Sequence, residues 1–359
     1  FGGALFGLKD RIDRRWMETY NDFGAAMVAR MEAEPESQRC ASCGGKVGPD
    51  VLQAQLGDRS RAGDVAPLND HEVASVDLLR DGFDDPFLFG KVAAFHALSD
   101  LHAAGATNPR LLAALTLPYA RSVPLSRDLE QVQAGLESTG VPVIGGHTAE
   151  GSELSAAVTV VGYTQAGAAT RAAEAGDSLI LTKPLGVGLI LAARMLGRVL
   201  PHHVQAAFDH CEQDNAAAAA AIADCAIGLR TDVTGFGLLG HLLTSLPDGL
   251  GAVMDADALP LLAGAREAFD AGVRPSILAG NQRATAGHVS ADLPESLDAL
   301  LHDPQTSGGL LLSLPATEAA KALKALRAAG YPAATEIGRL HALPSDQAAV
   351  KAEVTGPWA

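Results

Sequence analysis

The segment "TDVTGFGLLGHLL" (231–243) joins a glycine-rich stretch to an apolar one. Asp232 is followed by a turn that contains Gly235 and Gly237, and an apolar run begins directly after it. We therefore predict a glycine-rich turn that leads into a helix. Glycine allows backbone N–H groups to face an anion, and a helix N-terminus adds the positive end of its dipole. "GGHT" (145–148) and "TSGG" (306–309) are similar glycine turns, although each one alone is equally typical of an ordinary turn.

Strand-like and helix-like stretches alternate on both sides of this segment. Asp85 and Pro86 are typical of a helix N-cap and first turn, so we predict a helix that ends at Gly105. The other predicted elements are strands at 73–77, 111–117, 141–148, 156–164 and 335–340, and helices at 125–140, 187–229 and 316–329. A polar turn in "DPQTSGGLLLSL" (303–314) leads into a further strand. The pattern indicates two α/β (α+β) domains of similar size.

Composition limits the classes of function. The chain has 359 residues, 48% of them hydrophobic, and a formal net charge of −15. This charge argues against a nucleic-acid partner, because phosphate backbones require a basic face. It allows a nucleotide site, because carboxylates can hold Mg²⁺ and the metal then meets the phosphates. Four cysteines in so long a chain favour a reduced, cytoplasmic protein, and no apolar run is long enough to span a membrane.

Four aspartates are the candidate metal ligands: Asp64, Asp77, Asp100 and Asp232. Asp77 ends a predicted strand, and Asp232 precedes the turn quoted above. His96 and Asp100 are one helical turn apart, on a face that also carries valine and alanine, so Asp100 is predicted to be partly buried. A buried carboxylate is costly unless it is paired or holds a metal. Together these residues indicate a magnesium–triphosphate site, although each aspartate alone is typical of a helix cap or a solvated surface.

"CASCGGK" (40–46) carries two cysteines and a lysine. A zinc site needs a second pair of ligands, which Cys211 and Cys225 do not offer at a suitable spacing. A disulfide-exchange pair would open a helix after a strand, and this stretch follows a polar linker. The remaining interpretations are a linker without a role, or a flexible thiol near an ammonium that favours the thiolate and reaches a phosphate.

The motifs taken together resemble a known family. In order, they are "CGGKV", "GDVAP", "SVD", "ALSDLHAAGA", "GGHTAEG", "LTKPLGVG", "TDVTGFGLLGH" and "DPQTSGGLLL". This series, over about residues 40–345, is similar to the selenide, water dikinases, or selenophosphate synthetases, of the aminoimidazole ribonucleotide synthetase superfamily. The resemblance implies that ATP, selenide and water give selenophosphate, AMP and orthophosphate. It also implies a two-domain architecture that forms a homodimer through the N-terminal sheet.

The resemblance further implies roles for individual residues. Cys43 and Lys46 would be catalytic, and the metal ligands would be Asp64, Asp77, Asp100 and Asp232. The ATP-binding residues would be Lys46, Gly63, Asp77, Asp100, Gly146, His147 and Thr148, the last three in a turn that reaches the partner's nucleotide. Members of the family often have asparagine where this chain has His96. "DPQTSGG" and Cys40 receive no role.

The domain limits follow from the same comparison. We predict a flexible segment at 35–60, an ATP-binding domain at 61–170, a C-terminal domain at 171–345 and a tail at 346–359. Residues 1–34 are predicted to be an amphipathic helix, which either docks on the body of its own protein or is the tail of an upstream domain. The segment is similar to the tail of NADH dehydrogenase-like flavoproteins, which implies a fused or adjacent redox domain at the inner membrane surface. The first residue is not Met, as expected of a piece of a longer polypeptide.

Two other functions stay open. One is a sister ATP-dependent kinase or synthetase of the superfamily, against which Cys43 and Lys46 argue. The other is a non-catalytic module that binds nucleotide or selenium, against which the four retained aspartates argue.

Overall fold

The computed structural model describes Lys46, Val47, Pro49, Gln55 and residues 63–118, 125–164, 171–290, 293–344 and 350–358. The helix predicted at 1–34, Cys40 and Cys43 lie outside these residues, so those three predictions are not addressed by the structure. Within the described part, the predicted α/β architecture of two domains is confirmed.

The first domain is built on a five-stranded sheet with the order β1-β2-β5-β3-β4. Its strands are β1 (Ala66–Pro67), β2 (Glu72–Arg80), β3 (Thr107–Pro118), β4 (Val143–Gly151) and β5 (Ser155–Tyr163). β5 pairs antiparallel with both β2 and β3, whereas β3 and β4 are parallel. One face carries alternating buried residues such as Val158 and Val160, which is the pattern of a sheet covered on one side.

From residue 63 onward, the described part of this domain contains the helices α1 (Pro86–Ala104) and α2 (Leu125–Glu137). α1 begins as predicted: the side chain of Asp85 accepts hydrogen bonds from the backbone N–H groups of Phe87 and Leu88. It ends at Gly105, whose φ of 69° places it in the left-handed region that glycine adopts most easily. Most of α1 is buried, with its apolar residues on all sides, because it packs on both domains.

The second domain contains a six-stranded sheet with the order β11-β8-β10-β6-β9-β7. Its strands are β6 (Asp177–Leu181), β7 (Leu229–Asp232), β8 (Leu250–Asp255), β9 (Leu310–Pro315), β10 (Thr335–Ala342) and β11 (Ala352–Thr355). The chain was expected to end its regular structure at β10, and this was wrong: β11 adds a strand that runs parallel to β8.

Helices of the second domain cover this sheet. They are α3 (Val187–Met195), α4 (Pro201–Cys211), α5 (Ala216–Ala221), α6 (Gly237–Ser245), α7 (Ala265–Asp270), α8 (Leu278–Thr285), α9 (Glu295–Leu301) and α10 (Ala316–Ala328). α6 begins at Gly237, as the sequence predicts, and the residues before it form the glycine-rich turn. The central strands β6 and β9 are almost wholly buried, as expected of strands covered on both faces.

α1 connects the two domains. Arg230, on β7, donates a hydrogen bond from Nε to the carbonyl of Ala103 near the end of α1. Asn215 donates from Nδ2 to the hydroxyl of Ser99 on α1 and to the carbonyl of Gly308, at 2.8 Å each. These buried bonds fix one helix against both sheets, so the side chains of α1 face groups from the second domain.

The face of the first sheet opposite α1 is open. Val76 and Leu78 on β2 are 63% and 59% exposed, whereas Val73 and Leu79, on the other face of the same strand, are buried. Two such apolar side chains on one sheet face are a feature of interaction surfaces. Among the described residues, no helix is both long enough and apolar enough to cross a bilayer.

Candidate active site

The structure brings the four predicted aspartates to one cleft at the junction of the domains. Asp77 lies on β2, Asp100 on α1 and Asp232 at the end of β7. Asp64 precedes β1 and accepts a hydrogen bond from the hydroxyl of Thr231 at 3.0 Å, so the segment before β1 is tied to β7. Asp77 was expected to end its strand; this was wrong, since β2 continues to Arg80. The middle of β2, the end of β7 and a buried helix thus place acidic groups from distant parts of the sequence together.

Lys46 lies in the same cleft. Its Nζ is 3.1 Å from Oδ1 of Asp77, and both side chains are mostly buried. Burial lowers the pKa of Lys46, but the carboxylates of Asp77, Asp100 and Asp232 outweigh this effect and raise it overall. The pKa of Asp77 is lowered, because His96 and Lys46 outweigh the opposing effect of burial. The pair is therefore an ion pair near neutral pH, with the ammonium held in place.

The aliphatic part of Lys46 lies against Gly235 in the turn that precedes α6. A Cβ at position 235 would come within 2.7 Å of Cδ of Lys46. A side chain at position 235 would therefore displace the lysine, although the φ of Gly235 is not in the left-handed region. The glycine-rich turn of residues 231–237 therefore forms one wall of the lysine site.

His96 is fully buried on the other side of Asp77. Its Nδ1 accepts a hydrogen bond from the backbone N–H of Ser307 at 3.1 Å, and its Nε2 is 3.9 Å from Oδ2 of Asp77. Burial lowers the pKa of His96 to about 4, so the ring is neutral near pH 7. The spacing in the sequence predicts that His96 and Asp100 lie on one face of a helix. This is confirmed, since both lie on α1, one helical turn apart.

Asp100 is held by Ser75, whose hydroxyl donates to Oδ2 of Asp100 at 2.5 Å. Burial, followed by the charges of Asp232 and Asp77, raises the pKa of Asp100 well above its usual value. The carboxylates are thus close enough to oppose one another's ionisation, which is expected where a cation normally balances them.

Asp64, Asp232 and His241 form a group that can hold a metal. Each offers one ligand atom, and these atoms lie within 4.8 Å of one another. Both carboxylate oxygens of Asp232 are buried and make no hydrogen bond of good geometry in the described part of the chain, although the hydroxyl of Ser99 is near enough to lower the pKa of Asp232. Such an unpaired carboxylate is costly to bury, so the donor set fits a divalent cation. Burial, followed by the charge of Asp64, raises the pKa of Asp232 to about 7, and burial raises that of Asp64 to about 6.

His241 reaches this group from α6. Its Nε2 lies 3.1 Å from the hydroxyl of Thr234, and its ring stacks on Phe236. Burial and then the charge of Lys46 lower the pKa of His241 to about 3. A neutral imidazole retains a lone pair, which is the form that binds a metal.

The segment 303–309, "DPQTSGG", is a buried turn behind the cleft. Every one of its polar side chains is at most 1% exposed. Lys183 donates from Nζ to the carbonyl of Ser307 and to the carbonyls of His210 and Gln213 at the end of α4. Asp303 accepts from the backbone N–H of Gly188 at the start of α3. The turn is therefore packed between helix ends and the back of the aspartate cleft.

The other predicted site residues are placed elsewhere or are not described. Gly146, His147 and Thr148 were expected in a turn; this was wrong, since they continue strand β4 at the sheet edge. Gly146 is in register with Asp77 through Ala113 and Val158, three strands away, which is about 14 Å. Gly63 is exposed next to Asp64. The structure does not bring the β4 residues to the aspartates of the same chain.

Two family models match the chain in sequence order. Residues 63–164 match the N-terminal domain of the AIR synthase related proteins, and residues 174–351 match their C-terminal domain. The aspartate cleft lies between these two regions, since Asp77 and Asp100 belong to the first and Asp232 to the second.

Curated relatives are similar over most of the chain. A selenide, water dikinase from Myxococcus xanthus (strain DK1622) is 36% identical over 338 residues, which cover 86% of this chain and 94% of the relative. The chain belongs to the selenide, water dikinase family. Another member, from Escherichia coli O6:H1, is 34% identical over 327 residues, which cover 84% of this chain and 92% of that protein.

Solved structures share the fold of this selenide, water dikinase family member at low identity. A thiamine monophosphate kinase from Aquifex aeolicus has a TM-score of 0.58 at 18% identity, covering 86% of this chain and 97% of that one. The hydrogenase maturation protein HypE in complex with ATP has a TM-score of 0.57 at 18% identity, covering 87% and 92%. These likenesses confirm the expected architecture.

Sequence reasoning missed two groups in this family member. His241 was not predicted as a ligand, although it stands in the quoted motif one helical turn after Gly237. Lys183 was not predicted to be buried, and the "LTKPLG" context gives no sign that its ammonium meets three carbonyl groups. Both depend on contacts with residues far away in the sequence.

Proposed function

We propose that this protein catalyses the ATP-dependent synthesis of selenophosphate from selenide and water, with release of AMP and orthophosphate. One phosphoryl group of ATP passes to selenide and a second passes to water. Family membership supports the reaction, and the observation that carries the assignment of the site is the buried cleft in which Lys46 meets Asp77 beside the unpaired carboxylate of Asp232.

Asp64, Asp77, Asp100 and Asp232 would hold Mg²⁺ through carboxylate oxygens, which are the ligands that Mg²⁺ prefers. His241, whose ring nitrogen lies within 4.8 Å of the ligand oxygens of Asp64 and Asp232, would border the site. A bound Mg²⁺ would balance the charge of the nucleotide phosphates. The protein's own part is to position charge: phosphoryl transfer needs alignment and neutralisation more than covalent chemistry. Lys46 has its ammonium held by Asp77, and contact with a phosphate oxygen is the role that we propose for it.

Cys43 is proposed as the thiol that receives or hands on selenium. It stands three residues before Lys46 in the sequence, so the thiol belongs to the same short segment as the lysine of the cleft. A reducing compartment such as the cytoplasm would keep this thiol free. We also propose that residues 1–34 are the tail of an upstream flavoprotein domain.

We further propose a homodimer formed through the open face of the first sheet. The exposure of Val76 and Leu78 supports this. Gly146, His147 and Thr148 on the edge strand β4, together with Gly63 beside Asp64, would then contact nucleotide near the subunit junction. Analytical ultracentrifugation of Val76→Asp tests the dimer, with Leu196→Asp, at an exposed apolar residue outside the sheet, as the control.

The test of the reaction is ³¹P NMR of the protein with Mg²⁺-ATP and selenide under anaerobic reducing conditions. A selenophosphate resonance that appears together with AMP is the expected result. ATP consumption that does not depend on selenide would instead identify a sister kinase, and tight ATP binding without turnover would identify a binding module. A Cys43→Ser protein with full selenide-dependent turnover would remove the proposed role of the thiol.

A further inference from the structure

Lys183 is a buried cation to which the proposed reaction gives no part. It follows strand β6 and is 1% exposed. Its Nζ donates to the carbonyl of Ser307, to that of Gln213 at 2.7 Å and to that of His210 at 3.3 Å. An ammonium carries three hydrogens, so these three carbonyls use its whole capacity as a donor. The charge is therefore held by backbone groups of two separate segments.

Two of the three carbonyls belong to the end of helix α4. The helix ends at Cys211, so His210 lies in its last turn and Gln213 follows directly. Carbonyl groups at the end of a helix lack the N–H partners of the interior and carry the negative end of the helix dipole. A cation is the group that satisfies them best, and these contacts offset the cost of burying the charge of Lys183.

The third carbonyl belongs to the "DPQTSGG" turn. Ser307 has a φ of 50°, a value that residues other than glycine seldom adopt. Two positions further on, Gly309 lies against the backbone of the lysine, where a Cβ would come within 2.6 Å of the nitrogen of Lys183. The lysine thus contacts this turn through both its backbone and its ammonium.

The turn in its own right binds the backbone that follows Asp232. The carbonyl of Gly309 accepts from the N–H of Val233 at 2.8 Å. The N–H of Gln305 donates to the carbonyl of Thr234 at 2.9 Å. The two residues after Asp232 are therefore fixed by the turn, and the place of the Asp232 carboxylate at the end of β7 depends on them.

We propose that Lys183 is a positioning residue for the carboxylate of Asp232. Its ammonium joins the end of α4 to the turn at 303–309, and the turn holds the backbone after Asp232 in the conformation that binds a divalent cation. Without the ammonium, three buried carbonyls lose a donor and the turn is free to move. The affinity for the cation then falls. The inference rests on the proposed function in one respect, namely that Asp232 binds the cation.

Methionine and alanine remove different parts of the lysine. Lys183→Met keeps the length of the aliphatic chain and removes the ammonium, so the carbonyls lose their donor while most of the packing is retained. Lys183→Ala also opens a cavity with the shape of a propylammonium ion. This ion can restore the charge and the three N–H groups from solution, whereas n-propanol has a similar shape and no charge.

The test is the affinity for Mn²⁺ of the folded proteins without nucleotide, measured from the EPR signal of free Mn²⁺. We expect Lys183→Met to bind Mn²⁺ about 10- to 100-fold more weakly, as is typical when a group that orients a metal ligand is lost. The matched control is Lys324→Met, at an exposed position on α10, which should bind Mn²⁺ as the wild type does. In Lys183→Ala, propylammonium should restore the affinity to within a few-fold, and n-propanol should not.

A Lys183→Met protein that unfolds at a lower temperature, yet binds Mn²⁺ as tightly as the wild type, would show a role in stability alone and overturn the proposal. Equal rescue of Lys183→Ala by propylammonium and n-propanol would also overturn it, because filling the cavity would then suffice. If Lys183→Met does not fold, Lys183→Gln, whose amide keeps N–H donors, replaces it under the same criterion.

The same measurements separate this proposal from the proposed function. A wild-type protein that binds no Mn²⁺, or an Asp232→Asn protein that binds it equally well, would refute the metal site and the positioning role together. A wild-type protein that binds Mn²⁺ but forms no AMP in the presence of selenide would refute the proposed reaction, and the Mn²⁺ affinities would still decide the role of Lys183.

Discussion

Nζ of Lys46 and Oδ1 of Asp77 lie 3.1 Å apart, although 31 positions separate them in the sequence. The carboxylate raises the pKa of the ammonium and restrains it beside three further aspartates. Among the described residues, Lys46 is the one lysine or arginine that forms an ion pair with Asp77, whereas Arg230 acts on Asp64 and Lys183 is influenced by Asp232. This arrangement gives the first of the expected outcomes.

Replacing Lys46 by methionine should lower the rate of selenide-dependent AMP formation by about 100-fold or more, because one preorganised charge is removed from the site. The protein should fold, since the aliphatic part of the side chain is retained. The control is Lys324→Met, at an exposed position on α10, which should leave the rate unchanged. A Lys46→Met protein of normal rate would exclude the lysine from the chemistry.

Gly235→Ala should reduce activity without a large change in stability. The new Cβ would meet Cδ of Lys46 at 2.7 Å, and the flexible lysine side chain would have to move away from Asp77. We expect a loss of about 10-fold or more in kcat, as for other small misplacements. Gly145→Ala is the matched control, because its Cβ would have ordinary contact with Leu112 at 3.6 Å. Equal activity of the two variants would argue against the close approach of Lys46.

Asp232→Asn should separate stability from metal binding. The substitution removes a buried charge that makes no hydrogen bond of good geometry, so the metal-free protein should gain about 1–3 kcal/mol in free energy of unfolding at slightly alkaline pH. The stabilisation by Mg²⁺ or Mn²⁺ seen in the wild type should disappear. Urea unfolding with and without cation measures both effects, with Asp248→Asn at an exposed site as control. An unchanged cation effect would place the metal elsewhere.

The metal-free protein should lose stability as the pH rises from about 4 to about 7. The pKa values of Asp64 and Asp232 rise from 3.8 to about 6 and about 7, so the folded state binds more protons than the unfolded state in this range. Stability that is present below the ordinary pKa is therefore lost as these groups ionise, by roughly a few kcal/mol. Urea unfolding in EDTA across this range measures it; stability that increases with pH would contradict it.

Gly308→Ala should destabilise the fold. Its Cβ would lie 1.9 Å from the carbonyl oxygen of Val233, which is backbone and cannot move aside like a side chain. A cost of about 1–3 kcal/mol or more is expected from such overpacking. Thermal unfolding measures it, and Gly145→Ala again serves as the control. A midpoint equal to that of the wild type would show that the turn is loosely packed.

Local sequence signals predicted the elements that are fixed by local chemistry. Both ends of α1 were predicted from Asp85, Pro86 and Gly105, because helix caps act within a few residues. Strand β11 was not predicted, because its four residues carry no local pattern. Its pairing partner is β8, about a hundred positions earlier in the sequence. At Gly146 the sequence indicated a turn, whereas the glycine is needed because a Cβ would meet the carbonyl oxygen of Ala113 at 2.2 Å.

The candidate site was predicted as a set of residue types and not as a geometry. The aspartates were found from their motifs, but only the fold shows that Asp64 and Asp232 share a group with His241. Likewise, "DPQTSGG" was recognisable as a motif and had no role until Ser307 was seen to accept the ammonium of Lys183. Contacts between residues so far apart in sequence depend on the packing of two domains.

The burial of α1 against both sheets affects how the protein could be divided or recombined. A chain cut between residues 164 and 174 would leave His96, Ser99 and the carbonyl of Ala103 without the partners supplied by Ser307, Asn215 and Arg230. The halves are therefore complementary fragments rather than exchangeable modules. A chimaera that joins the first half of one relative to the second half of another would have to match the surface of this helix, residue by residue, to the turn that receives it.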